Sequence, residues 1–294
     1  MIWTVGGGPA ARPGAFFWRR LTRVAPAYWL ATGAVIAIVV IWPKLMPQVT
    51  LSARHIALSL AFIQHHDPRG LPFPVLPPGW SLAFEAMFYA LFTLVLFAPE
   101  AARFRLIIAA LIGVMMFGFL DPPAYELGAN PMMLQFAAGV GLARRAQLGR
   151  RTGLRTGLLL ASGGVALLAA MWLTGFRSDL FRPILWGVPA TMIVAGGLAL
   201  EPLFARRAPR ALVALGNASY AIYLCHFVAV DLVARAMGVL NPWVFVPTAI
   251  AASIAAGLAF HRWIERPLIA GARRLPGMLA FARSEPAAQP IGQP

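Results

Sequence analysis

"WSLAFEAMFYALF", residues 80–92, decides how the rest of the chain is read. Phe84, Met87, Phe88, Leu91 and Phe92 belong to an apolar run that continues to Phe97, the composition of a membrane helix. Glu85 stands inside that run, with no Lys or Arg near enough in sequence to pair with it. A carboxylate at the centre of a span costs about 3 kcal/mol on insertion scales, so such a group faces a protein interior or an aqueous cavity. Glu85 therefore either binds a hydroxyl or moves its proton within a polar cavity, or it snorkels to water from a turn or two below the outer end of its helix or pairs with a neighbouring helix.

Composition agrees with the membrane reading. Of 294 residues, 60% are hydrophobic and only 12% charged, half the charge of an ordinary soluble domain. Apolar runs of helical spanning length recur along the chain, too long and too uniform for the alternating strands of a membrane barrel. The fold class expected is all-α, a polytopic transmembrane bundle. The net charge of +15 invites a nucleic-acid reading. The basic residues, however, sit in short clusters between spans, as in cytoplasmic loops facing anionic lipid, so no nucleic-acid partner is expected. One cysteine, Cys225, excludes an intramolecular disulfide.

Eight candidate spans follow, at about 25–42, 80–98, 105–120, 130–143, 154–174, 183–200, 216–235 and 243–261. "LSARHIALSLAFIQ" at 51–64 carries Arg54 and His55 and is read as re-entrant or interfacial. With that segment not crossing, one side of the membrane holds only Lys44, Arg54, Arg69, Arg177, Arg182 and Arg235. The other nineteen of the 25 basic residues fall on the opposite side. The positive-inside rule makes the richer side cytoplasmic, together with both termini. Residues 1–15 read as a flexible Gly/Pro-rich segment, 16–268 as the transmembrane domain, and 269–294 as a cytoplasmic tail, partly disordered.

Two further stretches carry chemistry. In "FFWRRLTRVAPAYWL", residues 16–30, Arg20 and Arg23 are three apart and share a helix face, with Arg19 a step round. They form either a cytoplasmic anchor or a guanidinium pair suited to phosphates, and Pro26 fits an early position of the span that follows. In "GNASYAIYLCHF", residues 216–227, Ser219, Tyr223 and His226 fall on one face with Tyr220 beside them. Asp231 lies too far round to partner His226. "HHD" at 65–67 reads as a solvated loop, and "GGG" at 6–8 precedes no Lys and is no phosphate loop. No metal site is expected.

Taken in order, "RRLTR" with "APAYWL", then "WSLAFEAMFY", "GNASYAIYLCH" and "IERP" at 264–267 resemble the acyltransferase-3 family of bacterial membrane O-acyltransferases. The resemblance runs from about residue 16 to 268. It implies a helical membrane enzyme of about ten core spans, in the bacterial inner membrane. Such an enzyme moves an acyl group, commonly acetyl, from a cytoplasmic acyl-CoA to a hydroxyl of a cell-surface glycan or lipid-linked sugar. Acetyl-CoA would be a co-substrate, with no permanently bound cofactor. Arg20 and Arg23 would hold the donor's phosphates, Glu85 and His226 would line the cavity between the two faces, and Tyr220 and Tyr223 would meet substrate. The family also opens with two spans, the first bearing a histidine regarded as catalytic, that do not precede Arg20 here. The expectation is an N-terminally truncated member, inactive when expressed alone, with His226 not a replacement for that histidine. The competing readings are a transporter or flippase for an anionic glycolipid, and an inactive homologue.

Overall fold

The structure, a computed structural model, describes residues 13–150, 152–175, 182–204, 209–238 and 241–272. The described residues form helices and turns, with no strand among them. In chain order these are α1 (Pro13–Ile41), α2 (Ala53–Leu60), α3 (Gly79–Val95), α4 (Glu100–Leu120), α5 (Pro122–Glu126) and α6 (Met133–Gln147). Then come α7 (Leu154–Thr174), α8 (Arg182–Phe204), α9 (Arg210–Asn217), α10 (Ser219–Met237) and α11 (Pro242–Phe260). A π turn (His261–Glu265) leads from α11 into α12 (Arg266–Ala272).

Six helices among the described residues are long and apolar enough to cross a membrane: Pro13–Ile41, Glu100–Leu120, Leu154–Thr174, Ile184–Leu203, Ser219–Met237 and Pro242–Gly271. This is a multi-pass membrane protein. The two other expected spans are helices too, but shorter: α3 has 17 residues and α6 has 15, the latter ending in Arg144 and Arg145. The first span begins twelve residues earlier than expected, at Pro13, so Pro26 lies inside α1 instead of near its start. A membrane helix tolerates an interior proline because neighbouring groups take up the backbone bonds it frees. Of the segments expected to be irregular, residues 1–12 and 273–294 lie outside the described residues, as do Arg12, Arg151, Arg177, Arg206, Arg207, Arg273, Arg274 and Arg283. So does "GGG". Residues 269–272 continue α12.

The chain divides into two compact units. The described part of Leu91–Ala208 makes one, in which α7 packs on α8 through small residues. A Cβ added to Gly164 would lie 2.7 Å from the Pro189 carbonyl oxygen, and one on Gly196 2.6 Å from that of Gly157. Backbones that approach so closely gain the dispersion contacts that hold helices together where no hydrophobic effect operates. At the end of α3, Arg103 donates from Nε to the Ala98 carbonyl and from Nη2 to that of Leu96, satisfying acceptors the helix leaves open.

The second unit joins Gly14–Ala90 to the described part of Pro209–Pro294 and holds all the candidate site residues. α10 and α11 pair closely at Gly257, whose added Cβ would meet Ile222 Cα at 2.4 Å. Between α1 and α3 runs a structured lobe, residues 43–78, that turns back along α1. Its innermost point is marked by Trp29, whose Nε1 donates to the Leu60 carbonyl at 2.8 Å, and by the Phe62 ring 4.8 Å from that of Tyr28. Those contacts fall twelve to thirteen residues before the end of α1, about 18–20 Å along the helix. The segment 51–64 holds one helix, α2, and packs back against α1.

"HHD" is not a solvated loop. His55, His65 and Asp67 are buried inside the lobe, while His66 is exposed. His65 Nδ1 donates to the Ile63 carbonyl at 2.7 Å, which leaves its Nε2 to accept from His55 Nδ1, also at 2.7 Å. Asp67 accepts from the Arg69 and Leu71 amides and pairs with the Arg69 guanidinium at 2.9 Å. Ser59 Oγ accepts from the Val75 amide. Buried irregular backbone requires such internal satisfaction, and these polar side chains supply it.

Candidate active site

α1 and α3 run antiparallel, and their facing sides enclose a cleft lined by Arg20, Leu21, Val24, Phe62, Leu82, Glu85, Ala86 and Tyr89. Arg20 reaches it because α1 begins at Pro13, which places the arginine on a formed helix instead of in a preceding loop. Its guanidinium lies over the rings of Phe16 and Tyr89, 5.6 and 5.7 Å from their centroids, and both contacts favour a cation. The Tyr89 hydroxyl in turn donates to Glu85 Oε1, one turn earlier on α3. Cation, aromatic ring and carboxylate thus form one chain of contacts. Glu85 is half-buried and faces protein and cleft.

The cleft is small: about 20 Å³ of it is open to a water-sized group, where roughly 10–15 Å³ holds one water. The bulk of a large donor would lie outside it. Arg23 is exposed one turn along α1 and does not line it.

The other expected residues lie in the same unit but outside the cleft. The Tyr220 hydroxyl donates to the Val24 carbonyl of α1 at 2.7 Å. That of Tyr223 donates to the Pro78 carbonyl and meets Ser81 Oγ at 2.7 Å. Both tyrosines therefore tie α10 to the two helices that form the cleft. His226 Nδ1 donates to the Tyr223 carbonyl at 2.6 Å, which makes its Nε2 the acceptor nitrogen. Asp231 pairs with Arg235 and Gln48, as its position round the helix implied, and takes no part with His226. At the far end of α11, His261 Nδ1 and Glu265 Oε2 are 2.6 Å apart, the carboxylate buried.

Sequence reasoning missed Tyr89, Ser81 and Phe62. Tyr89 was within reach, since it stands four residues after Glu85 and so shares its face. Nothing local announces the other two, whose partners are far away in sequence.

The order of motifs along the chain is matched by comparison with known proteins. The model of the acyltransferase-3 family, described as an acyltransferase domain, matches residues 12–262. The chain belongs to the acyltransferase-3 family. Among acyltransferase-3 relatives, the exopolysaccharide production protein ExoZ of Rhizobium meliloti is 31% identical over 297 residues, covering 97% of this chain and 91% of ExoZ. The peptidoglycan O-acetyltransferase OatA of Listeria monocytogenes is 24% identical over 291 residues, covering 86% of this chain and 46% of OatA. The chain therefore spans less than half of OatA's length. No solved structure matches it.

Proposed function

We propose that this chain is an O-acyltransferase of the bacterial inner membrane. It takes an acyl group, acetyl first, from a cytoplasmic acyl-CoA and places it on a hydroxyl of a cell-surface polysaccharide or lipid-linked sugar. The observation that carries the reading is the cleft, where a guanidinium and a carboxylate line one space between two apolar helices. Family membership supports acyl transfer as the chemistry, and the names of ExoZ and OatA support a polysaccharide acceptor.

In this reading α3 and α6 cross as well, giving about eight spans with both ends of the chain cytoplasmic. α3 at about 26 Å and α6 at about 22 Å are short for a hydrocarbon core of about 30 Å, which local thinning accommodates. Arg20 and Arg23 then sit at the inner face, where the donor arrives. Their forked donors suit its phosphates, while the thioester end enters the cleft. The acceptor oxygen attacks the thioester carbonyl carbon, an ester C–O bond forms and the C–S bond breaks. Glu85, held by Tyr89, binds the acceptor hydroxyl and takes its proton, which leaves finally with the thiol. Tyr220 and Tyr223 hold the walls of the cleft in register, and His226 is held on the same helix through its Nδ1 bond to the Tyr223 carbonyl.

The test is acyl-CoA binding by the detergent-solubilised chain, read alongside acyl transfer in membranes. Arg20→Ala and Arg23→Ala should each weaken acetyl-CoA binding at least tenfold without loss of membrane insertion. Lys at either position should restore little, because a point charge does not reproduce a bidentate grip on phosphate. Unchanged binding in both Ala variants would reduce the pair to a topology anchor.

A further inference from the structure

The turn that follows α2 carries an anomaly. α2 stops at Leu60, and the chain leaves it by two backbone bonds, Ile63 N–H to the Leu58 carbonyl at 3.0 Å and Phe62 N–H to the Ser59 carbonyl at 3.1 Å. That pair of bonds is a Schellman motif, which requires a left-handed residue and usually finds glycine there. Here the residue is Phe62, with φ of 58°, the one non-glycine residue at positive φ among the described residues. A bulky side chain in this conformation is disfavoured by contact between Cβ and backbone. Glycine would relieve the contact and keep the turn. The strain persists because the ring is held elsewhere, and strained residues of this kind cluster at functional sites.

The ring is at the cleft. It packs on Tyr28 and lines the space between α1 and α3. Tyr28 lies eight residues beyond Arg20 on α1, about 12 Å along the helix axis. The polar residues of the cleft are Arg20, Tyr89 and Glu85. Its other walls besides Phe62 are Leu21, Val24, Leu82 and Ala86, whose side chains offer nothing to hydrogen-bond. The space is therefore a small, largely apolar slot with a cation and an aromatic ring among its walls.

We propose that Phe62 is a specificity-determining residue, the stop that limits how long an acyl chain the slot accepts. This rests on the reading that the cleft takes the acyl end of an acyl-CoA. A short chain lies along the aliphatic wall with its thioester beside Glu85. A longer chain meets the Phe62 ring.

The experiment measures dissociation constants of acetyl-, butyryl- and hexanoyl-CoA on the whole solubilised chain. The wild type should bind acetyl-CoA best. Phe62→Gly keeps the left-handed turn, so a folded variant is expected, and its hexanoyl-to-acetyl preference should rise at least tenfold with acetyl-CoA binding within about threefold of wild type. Phe62→Leu should shift the same preference by a smaller factor and provides the reading should the glycine variant not fold. Preferences unchanged within twofold in the folded variants, with acyl-CoA still bound, would overturn the stop while leaving the acyltransferase reading intact. Binding of no acyl-CoA by the wild type would defeat both. Arg20→Ala separates the two claims, since it should weaken all three ligands alike and leave their ratios where they were.

Discussion

Glu85 is accommodated among apolar residues because its neighbours are arranged for it. The Tyr89 hydroxyl donates to one carboxylate oxygen, and the Arg20 guanidinium lies over the same ring. Glu85 lines the cleft, where a substrate hydroxyl would arrive. Replacing Glu85 by Gln should therefore lower acyl transfer about 10²-fold or more, the scale of a lost general base, with acetyl-CoA affinity within about threefold of wild type. Tyr89→Phe should cost less, because it removes only the bond that aims the carboxylate. Single-turnover rates beside equilibrium binding distinguish these outcomes. Equal losses of rate and affinity in Glu85→Gln would mean that the residue holds the cleft together and has no part in the reaction. Arg20 and Glu85 were both legible in the sequence, one as a guanidinium at a membrane face and the other as a charge out of place. Their connection was not, since it passes through an aromatic ring whose orientation only the packing of α1 on α3 determines.

The lobe shows what an element-level reading of sequence can and cannot do. Its short helix and its polar content were visible in 51–64. Its burial was not, and "HHD" was misread because a cluster of polar residues beside Pro68 and Gly70 ordinarily marks solvent. Here the same side chains satisfy one another and the backbone of a buried turn. This makes the lobe sensitive to acid. Burial, with the neighbouring His65 imidazole and Arg69 adding to it against the opposing Asp67 charge, holds His55 below its ordinary value of 6.5. Burial works to raise Asp67, but the Leu71 and Arg69 amides and the Arg69 guanidinium overcome it and hold the carboxyl below 3.8. Both groups are then bound less tightly by protons in the folded lobe than in an unfolded one. Their stabilisation is complete above the ordinary values and is lost as pH falls through them, first for His55 below 6.5 and then for Asp67 below 3.8. Protection factors of residues 52–78, corrected for the intrinsic pH dependence of amide exchange, should accordingly fall as pH is lowered from 7.5 to about 5, while those of α10 and α11 hold. Protection independent of pH would show that the histidine pair does not carry this effect.

For the molecule as a whole, the charge bias and the helix lengths make different demands. Length alone admits six spans, whereas Arg103 and Arg105 placed inside require α3 to cross although it has only 17 residues. Reporter fusions after residues 72 and 128 should read outside, and those after 101 and 150 inside. An outside signal at 101 would break the alternation and return α3 to the re-entrant class.

The tyrosine ties and the lobe's anchors have a further consequence, which concerns the order in which the protein is made. Gln48 meets Asp231 across 183 positions, Ser81 meets Tyr223 across 142 and Val24 meets Tyr220 across 196. At roughly 5–20 residues per second, about 10 to 40 seconds separate the appearance of the lobe at the ribosome from that of α10, which fastens it. Throughout that interval α1, the lobe and α3 stand in the bilayer as an unfinished half, with the Val24 and Pro78 carbonyls lacking their final neighbours. Fastening of the helices that form the cleft is therefore among the last events in biogenesis. A nascent chain released before Tyr223 would present an intact set of donor-site arginines on a scaffold with nothing to hold it shut, and membrane quality control would meet it as a substrate.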